Sequence, residues 1–214
     1  SKSTPVPVVF SSTCAVYGNP PQIPVDENAP IAPMSPYGES KVLCEEELNK
    51  YCNQTSKPAF ALRYFNACGA DSDGGIGESH FPTQRLISSI FYAINADKTF
   101  TMHGTDFDTP DGTCVRDYIH INDLCTAHAL AFDKLIGSND CGALSYNLGN
   151  SSGFSVQQVI DVVQTVVSKD GYSVTVVDGE RRAGDPATLV ADAAKVKVEL
   201  GWQPEYDDLE VIVS

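Results

Sequence analysis

Positive charge is scarce in this chain of 214 residues, where 14 Lys and Arg face 28 Asp and Glu for a formal net charge of −14. Nucleic acid and acidic membranes demand clustered cations to neutralise their phosphates, so neither is expected as a partner. A local basic site for one small anionic molecule remains compatible with this balance. Seven cysteines are present, at 14, 44, 52, 68, 114, 125 and 141, but no C-x-x-C pair occurs, and no metal site is expected. Their odd number and irregular spacing read as small buried hydrophobes in a reducing compartment, which points to the cytoplasm. No apolar run approaches the ~20 residues a bilayer span needs. No signal peptide is visible after the opening Ser-Lys-Ser-Thr-Pro.

A phosphate-cradling glycine turn is also missing. A dinucleotide site in a parallel sheet uses a Gly-rich turn after its first strand, with the pyrophosphate at a helix N-terminus. The one dense glycine cluster, Gly74-Gly75-Ile76-Gly77, is flanked by Asp71, Asp73 and Glu78 and lacks the required spacing. It reads as a flexible loop. The chain opens without Met, and Asp207 to Ser214 looks like a helix cut in mid-pattern. These features predict a partial chain, inactive by itself, that carries a substrate side without much of a cofactor cradle.

What is present is an ordinary globular composition, 42% hydrophobic and 20% charged, long enough for one good-sized core or two small lobes. Val6 to Ser12 reads as a buried strand, and Ser35-Pro36 opens a helix of about five turns with Pro near its start, where a missing N–H costs least. Val42, Leu43, Cys44, Leu48, Tyr51 and Cys52 supply its apolar stripe, and Glu45-Glu46-Glu47 reads as a solvated face. Lys57-Pro58 stops this helix before a second buried strand, Ala59 to Phe65. Strand, long helix, strand is the βαβ unit of a parallel sheet. Further on, Asp71 to Ser79 reads as a loop and Phe81 to Ala96 as a helix. Val115 to Ile121 reads as a strand running into a helix from Asn122 to Leu135, and Leu144 to Leu148 as a short strand. Ser155 caps a helix through Val167, Val174 to Val177 is an exposed or edge strand, and Asp192 starts a short helix ending before Gly201-Trp202. The fold class is therefore α/β.

Tyr37 and Lys41 stand four residues apart on the first helix, on one face, and the hydroxyl run Ser11-Ser12-Thr13 precedes them in the chain. A cation held beside a phenol favours the phenolate, whose pKa otherwise starts near ~10. A tyrosine so placed can take a proton from a sugar or alcohol hydroxyl. By itself Y-x-x-x-K is a common pattern that also occurs on plain surface helices.

The pair does not stand alone. F-S-S-T-C-A-V-Y-G (10–18), S-P-Y-G-E-S-K (35–41), L-R-Y-F-N-A-C-G-A (62–70), D-G-T-C-V-R-D-Y-I-H (111–120), Y-N-L-G-N (146–150) and E-R-R-A-G-D-P-A (180–187) follow in this order. The set resembles the extended short-chain dehydrogenases/reductases, and within them the UDP-glucose 4-epimerase family, over nearly the whole chain. The resemblance implies a chain lacking the N-terminal Gly-rich NAD-binding part. Residues 1–68 would be the second half of a doubly wound, Rossmann-type parallel sheet. Residues 69–214 would be mainly a smaller nucleotide-sugar lobe, with segments near 115–150 packing back on the first. It implies NAD as cofactor, a UDP-sugar as substrate, a homodimer, and interconversion of UDP-glucose and UDP-galactose through transient oxidation at the sugar C4, in galactose metabolism.

Carried over by motif, Tyr37 is the general base and acid on the C4 hydroxyl. Lys41 assists it and holds the nicotinamide ribose. Thr13 bridges sugar and Tyr37, with Ser12 the adjacent fallback. Tyr64 and Phe65 line the nicotinamide side and Asn66 reaches the substrate. Arg116 and Arg182 are the expected diphosphate clamps, since a guanidinium fork matches phosphate geometry. Arg85 is a further diphosphate contact, His103 lies near the uracil, and Asp185 takes the uridine ribose hydroxyls. Leu189 stands where some relatives have a bulky Tyr, which implies room for N-acetylated sugars. Sister enzymes that dehydrate or decarboxylate carry acidic residues just after the Thr; here those positions are Cys14 and Ala15, which favours plain epimerisation. A related nucleotide-sugar epimerase or reductase acting on another UDP-sugar (N-acetylglucosamine, pentose or glucuronate), and a non-catalytic scaffold on the same fold, are the alternatives.

Overall fold

The computed structural model describes residues 4–71, 73–79, 82–137 and 142–214. It opens with the expected unit: strand β1 (Val8–Thr13), helix α1 (Pro36–Thr55) and strand β2 (Ala59–Tyr64). Ser35 caps α1, its hydroxyl accepting the Gly38 N–H at 3.1 Å, and Pro36 occupies the first turn. The helix stops at Ser56, which adopts the left-handed conformation before Lys57-Pro58. β1 and β2 pair in parallel, and β2 pairs in parallel with β6 (Ala143–Leu148), so that Thr13, Tyr64 and Leu148 fall in one row at the carboxyl ends of the strands. Helix α3 (Ile121–Gly137) and the short α5 (Ala194–Leu200) pack on this sheet. The shared core includes Leu62, Leu124, Ala131, Leu148 and the fully buried Trp202.

The rest of the chain builds around β5 (Val115–His120). β3 (Asn66–Cys68) and β9 (Thr188–Leu189) run parallel to it, and β7 (Gly153–Ser155) antiparallel. A separate parallel pair joins β4 (Phe100–His103) to β8 (Val176–Gly179). Helices α2 (Leu86–Asn95), α4 (Val156–Ser168) and α6 (Leu209–Val213) close a second core with Met102 and Tyr118. α4 begins with the expected Ser155 cap, extended into a reciprocal capping box with Gln158.

Four expectations need correction. α2 begins at Leu86, not Phe81, because Arg85 still has extended backbone dihedrals; Phe81 lies outside the described residues. The last strand is 176–179 rather than 174–177, its register set by pairing with β4. α5 starts at Ala194, with the Asp192 carboxylate accepting the Ala194 N–H ahead of it. Along α1, Leu43 is 61% exposed and Cys44 is also outside the apolar stripe, whereas Glu45, read as solvated, turns inward to a buried ion pair.

Candidate active site

A cleft of about 1380 Å³ opens where β1 and β2 end. Ser12, Thr13, Tyr37, Tyr64, Phe65, Asn66, Arg85, His103, Arg116, Arg182 and Asp185 all line it. Lys41 does not. Its ammonium donates to the Ser11 carbonyl at 2.8 Å and lies 5.7 Å from the Tyr37 ring centroid, so it ties α1 to the edge of β1 behind the phenol. Tyr37 is 56% exposed, on the first turn of α1.

Gly38 explains how α1 comes so near. A Cβ at this position would stand 2.7 Å from the Ala15 carbonyl oxygen and 3.0 Å from the Pro33 Cβ. Only glycine lets the helix press against the single 3-10 turn, Cys14–Val16, that follows β1. Thr13 caps that turn: its Oγ1 accepts the Ala15 N–H at 3.2 Å. Ser12 is differently engaged, donating its proton to the Glu45 carboxylate at 2.5 Å. Ser11 is bonded to Tyr64, whose hydroxyl also lies 2.5 Å from His128 Nε2. The other His128 nitrogen, Nδ1, faces the Leu124 carbonyl at 2.8 Å. A carbonyl only accepts, so Nδ1 carries a proton. Burial, the largest cause, raises the Tyr64 phenol above its ordinary range, although its bond with Ser11 works the other way.

Three arginines line the same cleft, Arg85, Arg116 and Arg182. Arg116 projects from β5, donates to the Val115 carbonyl at 2.8 Å, and comes within 3.9 Å of the Asp185 carboxylate. Arg85 pairs with Glu78 at 3.1 Å. His103 Nδ1 faces the Glu180 carbonyl at 3.2 Å. Phe65 is buried in a small cluster with Val16, Tyr17, Val25, Leu189 and Ala191. Leu189 thus lies in the packing behind Phe65 and is not among the residues lining the cleft. Cys14 stands at the position where a dehydratase would need an acid, and burial pushes its thiol up to about 12, far from a group that exchanges protons near neutrality.

Sequence reading missed the ion pair of Glu45 and Arg63 and the Tyr64–His128 contact. The first had a signal: a lone arginine inside Ala-Phe-Ala-Leu-Arg-Tyr-Phe requires a buried acceptor, and a glutamate on the covering helix is the natural source. The second had none, because His128 and Tyr64 are 64 residues apart. Among the described residues no cluster of His, Cys, Asp or Glu forms a metal site, and no helix is long and apolar enough to cross a membrane.

Comparison with known proteins adds to this geometry. The family model described as GDP-mannose 4,6 dehydratase matches residues 2–213. The UDP-glucose 4-epimerase of Halalkalibacterium halodurans is 44% identical over 209 residues, 97% of this chain and 61% of that protein. Among solved structures, a UDP-glucose 4-epimerase from Brucella ovis in complex with NAD superposes with a TM-score of 0.89 at 41% identity, covering 97% of this chain and 62% of that one. The UDP-glucose 4-epimerase from Bifidobacterium longum, in complex with NAD+ and UDP, gives 0.86 at 34% identity, with 97% and 61% covered. The chain therefore spans about three fifths of the length of the relatives it matches.

Proposed function

The chain belongs to the GDP-mannose 4,6 dehydratase family, and we propose that the whole protein inverts C4 of a UDP-sugar, interconverting UDP-glucose and UDP-galactose in galactose metabolism, with NAD as its redox cofactor. The observation that carries this reading is the single cleft lined by Thr13 and Tyr37 together with Arg85, Arg116 and Arg182. It joins hydroxyl groups able to handle a sugar proton to cations able to hold a diphosphate, in a chain whose net charge is otherwise strongly negative. The kinship to proteins named UDP-glucose 4-epimerase supports epimerisation over the dehydration in the family's name. So do Cys14 and Ala15, which offer no acid or base next to Thr13.

In this reading Tyr37 takes the C4 hydroxyl proton and returns it, Thr13 donates to the same oxygen, and Lys41 is the cation beside the phenol. Arg116 and Arg182 hold the diphosphate, with Arg85 as a further contact. Asn66 meets the sugar, His103 the uracil side, and Asp185 the ribose hydroxyls. NAD, when bound, supplies the hydride acceptor and donor at C4. The residues present fit its nicotinamide and ribose end: Tyr64 and Phe65 offer an aromatic wall, and the Lys41 ammonium, bonded to the Ser11 carbonyl, stands over the Phe10 and Tyr37 rings. The turn that follows β1 is a 3-10 turn without glycine and is no pyrophosphate cradle. Residues 1–68 accordingly form the cofactor side and 69–214 mainly the sugar-nucleotide side, with 115–150 packing back on the first. The exposed face of α1 is the surface proposed for a homodimer, and the cytoplasm is the proposed location.

The decisive experiment is Tyr37→Phe in the whole protein, assayed for conversion of UDP-galactose to UDP-glucose. Loss of general acid–base catalysis lowers kcat by ~10²–10⁴-fold, while UDP affinity, read by calorimetry, stays within a few-fold. Undiminished turnover overturns the proposal.

A further inference from the structure

The three consecutive hydroxyls at the end of β1 are not equivalent, and a buried ion pair sets the difference. Glu45 and Arg63 meet through two bonds, Arg63 Nε to Oε1 at 3.0 Å and Nη2 to Oε2 at 2.6 Å. Their side chains are only 12% and 7% exposed. A carboxylate so paired is ionised and can only accept. Ser12, 2% exposed, lies 2.5 Å from Oε1 and has to donate its single proton there. The other arm of Arg63 donates to the Tyr17 hydroxyl at 2.8 Å, and Tyr17 passes its proton to Asn147 Oδ1 at 2.7 Å. These bonds run inward and join α1, β1, β2 and β6. Thr13 differs. Its oxygen accepts from the Ala15 N–H, and its hydroxyl is set against the Cys14 sulfur, a far weaker acceptor than the carboxylate that holds Ser12.

We propose that Glu45, held by Arg63, is a positioning residue for the reaction described above: by fixing Ser12 it sets the rotation of the β1 terminus and leaves Thr13 as the hydroxyl that donates into the cleft. The inference rests on the epimerase reading and refines it. Ser12 becomes an anchor instead of a second donor, and a glutamate on the far side of the strand, outside the cleft lining, acquires a bearing on turnover.

The test is a double-mutant cycle in the whole protein, with kcat and KM measured on folded material for Ser12→Ala, Glu45→Gln and the pair. A displacement of catalytic groups on the order of 1 Å costs up to ~100-fold. Each single variant is expected to lose about tenfold in kcat with KM little changed, and the pair no more than the worse single, because both break one tether. Thr13→Val is expected to fall further than Ser12→Ala. The proposal is overturned if Ser12→Ala leaves kcat unchanged, if the two losses multiply, or if Ser12→Ala falls as far as Thr13→Val. Should Glu45→Gln fail to fold, Ser12→Ala and Thr13→Val decide alone. The parent protein and its Tyr37→Phe variant run alongside: absence of UDP-sugar turnover in the parent sinks the epimerase reading itself, a result distinct from any of these.

Discussion

Asp117 offers the sharpest quantitative test of how this fold is held. It is fully buried on β5, and its carboxylate accepts backbone N–H groups of Asn150 at 2.7 Å, Ser151 at 3.0 Å and Ala191 at 3.1 Å. Asp117→Ala strands three donors in the interior. Each costs ~1–3 kcal/mol when left unmet, and partial entry of water makes ~3–6 kcal/mol the expected loss. At a few degrees per kcal/mol for this size, Tm falls on the order of 10 °C. The chain's one tryptophan, Trp202, is fully buried and bonded to the Asp123 carbonyl, so its fluorescence reports unfolding in urea directly. A loss below ~1 kcal/mol would mean these N–H groups find other partners, and the reasoning fails. The pH dependence carries a second check. Burial pushes the Asp117 carboxyl up to about 6, against the pull of its three N–H donors. A folded pKa above the unfolded value of ~3.9 means the folded state prefers the protonated form. The associated stability is complete below ~pH 4 and is lost as pH rises through about 6. Two pK units correspond to roughly 3 kcal/mol. Asp117→Asn does not titrate, so its stability should lack this decline, and parallel wild-type and Asn profiles between pH 4 and 7 would refute the assignment.

Two further outcomes follow from the packing at Gly38 and the cap at Ser155. Gly38→Ala places a Cβ 2.7 Å from the Ala15 carbonyl and forces the start of α1, with Tyr37, off the turn that carries Thr13. Turnover in the whole protein should drop about tenfold or more for a stability cost of ~1–3 kcal/mol, and an unchanged kcat would contradict the close-approach account. Ser155→Ala removes the α4 cap, which takes the Gln158 N–H at 3.1 Å and also bonds Asp111. It should cost ~1–2 kcal/mol in urea unfolding, and a change under a few tenths would mean that the capping box is dispensable.

Local signals made the first third of the chain legible. A β-branched run, Ser35-Pro36 at a helix start and Pro58 at its end place β1, α1 and β2 within a residue or two. β7 and β9, three and two residues long, carry no period to detect; they exist because β5 offers them its edges. The same limit governed Glu45. Three consecutive glutamates on a helix look solvated until the arginine at 63 is known to lie beneath one of them. The candidate site residues came from motif resemblance, not from periodicity, and no motif could foresee that Leu189 packs behind Phe65 or that Tyr64 leans on His128.

The motif Y-N-L-G-N shows why resemblance alone is an uncertain guide to chemistry. The Tyr146 hydroxyl goes to Glu199 at 2.8 Å, and Asn147 accepts from Tyr17 and donates to the Val25 carbonyl at 2.9 Å. Leu148 is core, and a Cβ on Gly149 would meet the Asp117 carboxylate at 2.5 Å. Asn150 donates to the carbonyls of Tyr118 and Tyr206 at 2.8 and 3.1 Å. None of these five lines the cleft, yet together they fix the end of β6 against β5 and the 202–207 segment. Apolar packing tolerates small shifts, whereas a buried donor has an acceptor in reach at one setting only. The sheet therefore owes its existence to its leucines and valines, and the alignment of its strand ends to Asp117, Asn147, Asn150 and the Glu45–Arg63 pair. A cleft whose walls come from β1, β2, β5 and α1 inherits its geometry from that second set.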